Sequence, residues 1–84
     1  MNYTANKITV EADAWTEISP SHDIDGWSVY PIDGDIFIQL RDKNGWGDSI
    51  HSFSGVPAGD NYPANKIRIK AQTGSVVVAY YVRG

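Results

Sequence analysis

The sequence predicts an all-β fold, a single compact antiparallel β-sandwich or barrel of about seven or eight short strands occupying residues 1–84. Three observations carry this. Apolar residues alternate with polar ones along most of the chain instead of recurring at three and four. Turn residues arrive about every ten positions. No window of ten residues carries an apolar stripe at helical spacing, which leaves no room for a crossover helix.

The first strand runs from Lys7 to Ala12, where Ile8, Val10 and Ala12 alternate with Lys7, Thr9 and Glu11 and so mark a core face and a solvent face. Two shorter candidates follow, Trp15 to Ile18 and Trp27 to Tyr30, rich in the aromatic and β-branched residues that fit a pleated surface. In a strand around Ile36, Ile38 and Leu40 the intervening residues are Phe37 and Gln39, so Phe37 points away from the core face. Ile67, Ile69 and Ala71 alternate with Lys66, Arg68, Lys70 and Gln72 in another. The closing segment, Val76 to Val82, is apolar or aromatic on both faces, and such a strand needs a second cover, either a loop or another chain. Between these runs fall Pro20, Asp33-Gly34, Asn44-Gly45, Gly55, Pro57, Gly59, Pro63 and Gly74. Asp33-Gly34 and Asn44-Gly45 suit tight hairpin turns, and so does Thr73-Gly74. Residues 3–12 return at 62–71 with six of ten positions identical. That is too little for a solenoid; the simplest account is similar turn chemistry at two strand starts. The alternative is that the two segments hold equivalent positions in two sheets, or pair side by side.

Composition narrows the function. An 84-residue chain buries only about 60% of its unfolded surface, which argues against a deep catalytic cleft. Seven Lys and Arg against ten Asp and Glu give a net charge of −3, the wrong sign for a phosphate-backbone binder, so nucleic acid is not an expected partner. With no cysteine there is no disulfide, thiolate zinc site or cysteine nucleophile. No stretch approaches the roughly 18 apolar residues of a membrane span, and Met1 to Asn6 has neither a basic segment nor an apolar run, so the expectation is a soluble, unprocessed chain with no membrane partner.

Candidate chemistry is sparse. Asp23, Asp25, Asp33, Asp35, Asp42 and Asp48 cluster in three turns, but the order of ligands departs from a calcium loop, with Trp46 at the fifth position counted from Asp42. They read as solvated turn formers. His22 and His51 have no cysteine to join them as zinc ligands. Ser49, His51 and Ser52 sit close in sequence, yet no nucleophile elbow, phosphate loop or dinucleotide fingerprint accompanies them. No catalytic residue, metal or cofactor is therefore expected. Trp15 and Trp27 read as core residues. Trp46, in Asn44-Gly45-Trp46-Gly47-Asp48, reads as a loop residue that a ligand or a neighbouring chain must cover, with Tyr62 as the other ligand-binding candidate.

In order, Ile8-Thr9-Val10, Ala14-Trp15-Thr16-Glu17-Ile18, Ile36-Phe37-Ile38-Gln39-Leu40, Val56-Pro57-Ala58-Gly59 and Gly74-Ser75-Val76-Val77-Val78 form a pattern that covers most of the chain. It resembles the small β-sandwich accessory proteins of tailed-bacteriophage virions, which often combine an Ala-Trp-Thr step, a Pro-Ala-Gly turn and a closing strand after glycine. The stretch from Asp42 to Ser52, bearing Trp46, departs from that pattern as an insertion-like loop. The resemblance implies a structural virion protein, a capsid decoration or cement subunit or a component of a head fibre or tail. A homotrimer bound to the major capsid protein or other virion proteins would follow, with assembly in the host cytoplasm. Phe37, Trp46, Val77 and Tyr81 are the expected interface. The alternative is a small carbohydrate-binding or host-surface adhesion module that uses Trp46 and Tyr62.

Overall fold

A computed structural model describes residues 3–20, 22–60 and 64–84. Its strands are β1 (Tyr3–Glu11), β2 (Thr16–Ile18), β3 (Gly26–Pro31), β4 (Ile36–Asp42), β5 (Gly45–Trp46), β6 (Ile50–Ser52), β7 (Ala58–Asp60), β8 (Lys66–Ala71) and β9 (Ser75–Arg83). Among the described residues there is no helix. The strands form two antiparallel sheets, one ordered β1-β9-β3-β7 and the other β2-β8-β4-β5, with β6 also pairing β4. The fold is an all-β sandwich.

Alternation in sequence becomes alternation in burial. In β8 Ile67, Ile69 and Ala71 are buried between half-buried Lys66, Arg68 and Lys70, and in β4 Ile36 and Ile38 are buried around Phe37. Val10, Val29, Val78 and Val82 meet them from the other sheet, all at 0% exposure. Each such aliphatic side chain contributes about 1.5–3 kcal/mol on leaving water.

The chain changes sheet at six of its eight connections, the exceptions being β4 to β5 and β5 to β6. This is jelly-roll connectivity. It overturns two of the expected hairpins. Asp33-Gly34 joins β3 to β4 and Thr73-Gly74 joins β8 to β9, and each pair of strands lies in opposite sheets. A turn dipeptide fixes only its own φ range, whereas the need of both flanking strands to bury one face decides which sheet they enter. Asp33 Oδ1 accepts the Val77 backbone N–H at 2.8 Å, and Ile32 N–H donates to Val77 O at 2.9 Å, so this corner is tied to β9 instead of closing on itself. Gly74, at φ 62, adopts the left-handed backbone that lets the chain turn from one sheet to the other.

The third expected hairpin is present. Asp42 pairs with Gly45 across Lys43 and Asn44, the Asp42 carboxylate accepts the Asn44 N–H at 2.7 Å, and Gly45 takes φ 107. The stretch from Asp42 to Ser52 is therefore not an inserted loop but two short strands on the free edge of β4. Likewise Ala58 and Gly59, expected in a turn, lie in β7. The repeated segments neither pair nor match in position, since β1 is an edge strand of one sheet and β8 an inner strand of the other.

Candidate functional site

Because the interior is filled mainly by aliphatic side chains, the strands present their polar and charged residues on the outer faces of the two sheets. On the five-stranded sheet the outward residues of β8 are Lys66, Arg68 and Lys70, and the register sets them beside Arg41, Gln39 and Phe37 of β4 respectively. Arg41 in turn pairs with Trp46 of β5. Trp15 precedes β2, on the same outward side as Glu17. The Arg68 guanidinium carbon lies 4.1 Å from the Trp46 ring centroid and 4.7 Å from that of Trp15, and Lys70 Nζ is 4.8 Å from the Trp15 centroid. Arg68 Nε donates to Gln39 Oε1 at 2.7 Å, which fixes the plane of the fork.

Four of the chain's seven Lys and Arg, namely Arg41, Lys66, Arg68 and Lys70, thus share one face of a chain with net charge −3. Glu17 is the register partner of Arg68 in β2, and its carboxylate reaches diagonally to Lys66 Nζ at 3.7 Å. Among the described residues, no carboxylate comes within 4.0 Å of the charged groups of Arg41, Arg68 or Lys70. At the rim, Phe37, His51 and Phe53 form a ring cluster with centroids 5.2 and 4.5 Å apart, and His51 Nε2 lies 3.2 Å from Asp35 Oδ2.

The four-stranded sheet presents a different surface. Val76, Val78 and Val82 of β9 face the core, so Val77, Ala79 and Tyr81 face outward; Tyr81 is 37% exposed and stacks on Tyr3 at 5.7 Å. Tyr30 of β3 is exposed beside Ala79. The four residues expected at one interface therefore divide: Phe37 and Trp46 lie on one outer face, Val77 and Tyr81 on the opposite one. Period-two alternation places a residue in or out but not on which of two sheets, so the sequence could not separate them. Tyr62 lies outside the described residues. Trp27 is a core residue as expected, at 7% exposure, but Trp15 is not; it stands half-buried on the outer face against Arg68. The signal for this face was available in the alternation of Lys66, Arg68 and Lys70 along one strand.

The hydrolytic set is not assembled. His51 faces outward against Asp35, while its neighbour Ser52 is turned into the core at 3% exposure. Asp23, Asp25 and Asp42 line one open recess together with Lys43 and Asn65, yet among the described residues no three His, Cys, Asp or Glu group closely enough to hold a metal ion.

No protein-family model matches the sequence, and no curated protein matches it. The fold is similar to two solved structures of HppE with cobalt(II), one in complex with Tris buffer (TM-score 0.66, 13% identity) and one in complex with substrate (TM-score 0.65, 12% identity). The alignment covers 96% of this chain in each case but only 45% and 44% of the HppE chains. At this identity the likeness is one of fold. The described residues do not offer the ligand set that a bound metal such as that cobalt requires.

Proposed function

We propose that the chain is a non-enzymatic structural subunit of a tailed-phage particle, a decoration or cement protein that works by contact. The observation that supports this reading is the placement of side chains: mainly aliphatic residues close the interior, while Tyr3, Tyr30 and Tyr81 stand exposed on the outer face of one sheet. The outer face of the four-stranded sheet, with Tyr3, Val77, Ala79, Tyr81 and Tyr30, is the surface for self-association and for attachment to the shell. The two nine-residue strands β1 and β9 give this face a length of about 30 Å, narrowing over β3 and β7, and contacts of this kind gain strength when many copies engage at once. A homotrimer at a symmetric joint fits this mode. The test is labelling of purified particles from the source strain with an antibody to the chain. Regular labelling that persists through gradient purification is expected; recovery of the chain only in the particle-free fraction overturns the assignment.

A second reading, a small carbohydrate-binding or host-surface adhesion module, is favoured by one observation. Trp46 shares its face with a second tryptophan, since Trp15 lies on the other side of Arg68. Tryptophan faces provide the apolar contact that sugar rings need.

A further inference from the structure

We propose that the outer face of the five-stranded sheet, centred on Arg68 between Trp15 and Trp46, binds an oligosaccharide bearing carboxylates, a polyuronate. The inference rests on the carbohydrate reading and adds the charge of the ligand. Arg41, Arg68 and Lys70 gather on this face with no carboxylate partner among the described residues, although acidic residues outnumber basic ones ten to seven in the chain. With Glu17 the one carboxylate that pairs with any of the face's four cations among the described residues, the face keeps an excess of positive charge that attracts an anion from outside. The fork is already held: Trp15 and Trp46 flank the Arg68 guanidinium and Gln39 takes its Nε, so little rotamer freedom remains to be lost on binding. The Nη nitrogens have no hydrogen-bond partner among the described residues, and two parallel N–H donors match a carboxylate.

Size and charge select the occupant. From Lys66 to Lys70 along β8 and from β2 to β5 across the sheet, the face measures about 13 by 14 Å. That is far below the roughly 800 Å² each partner buries in a standard protein interface, and it suits a few sugar rings. A single-stranded nucleic acid would also meet cations and rings, but sites for it run to about four nucleotides or more, longer than this face. A polyuronate carries one charge per ring, for the Arg68 fork, and apolar C–H groups that can lie beside the half-buried Trp15 and Trp46.

The full chain should be titrated at low ionic strength with an oligogalacturonate, a neutral cello-oligosaccharide and a single-stranded oligothymidylate, by calorimetry and by the indole N–H resonances. Binding of the oligogalacturonate alone, shifting Trp15 and Trp46 but not buried Trp27, is expected. Arg68→Gln should weaken it by about tenfold or more. Lys7→Gln, which changes net charge equally but lies on the other sheet, should leave it within about twofold. If Arg68→Gln fails to fold, Lys70→Gln serves instead, with a weakening of at least severalfold expected. Equal binding of the neutral sugar overturns the carboxylate assignment while sparing the carbohydrate reading. Binding of oligothymidylate alone overturns both in favour of nucleic acid, and no binding at all overturns both, leaving the particle assignment to its own labelling test.

Discussion

Residues of β9 that face opposite ways have opposite environments, and substitutions there give the sharpest test of the architecture. Val78 is fully buried between the sheets, whereas Tyr81 faces outward against Tyr3. Val78→Asp would place an unpaired carboxylate in an aliphatic core and is expected to remove more than about 4 kcal/mol, abolishing the cooperative urea transition. Tyr81→Asp is expected to cost no more than about 1 kcal/mol by the same measurement, since it loses only a surface ring contact. The stacked cation is also modest in stability terms. Arg68→Ala should lower the unfolding free energy by about 0.5–1 kcal/mol and shift the emission of Trp15 and Trp46 to the red as their faces open to water. A loss several times larger would mean that Arg68 supports the core instead of covering the surface.

At the level of elements, the β4–β5 hairpin decides whether the cation-aromatic face exists, because it carries Trp46 across to Arg68. Its turn depends on Gly45 at φ 107, a conformation that side chains rarely adopt. Nothing lies within 4 Å of a Cβ built there, so the cost of substitution is backbone strain alone. Gly45→Ala should therefore destabilise by about 1–2 kcal/mol and loosen Trp46, visible as faster amide exchange at Trp46 with β1 and β9 unchanged. Gly59 depends on space instead: a Cβ would meet Trp27 O at 2.5 Å, so β7 lies against β3 only because that position has no side chain.

Across the whole molecule, one outer face carries the tyrosines and Val77 along β9 and the other the cation cluster on β8, so the two are expected to act independently. Sedimentation of the chain at micromolar concentration should show a trimer or another oligomer, and Val77→Asp with Tyr81→Asp should return it to monomer while its β-type far-ultraviolet spectrum persists. Trp46→Ala, on the opposite face, should leave the sedimentation profile unchanged. If the Trp46 variant dissociates and the β9 variant does not, the association surface is the five-stranded sheet, and the assignment of faces made above is reversed.

The sequence alone was enough for the all-β class, the strands around Val10, Ile38, Ile69 and Val78 and the in-or-out direction of Phe37 and Arg68, because period-two alternation is a local consequence of strand geometry. It also held the hairpin at Asn44-Gly45, where a local glycine conformation and a local side-chain cap suffice. Tertiary structure alone decided that Asp33-Gly34 and Thr73-Gly74 are corners between sheets, that Phe37 and Tyr81 look in opposite directions, and that Trp15 leaves the core to stack on a residue 53 positions away, Arg68. Each of these depends on which strands become neighbours. That choice is made by burying all the apolar faces at once in a two-layer sandwich, a condition on the whole chain that no local window of sequence expresses.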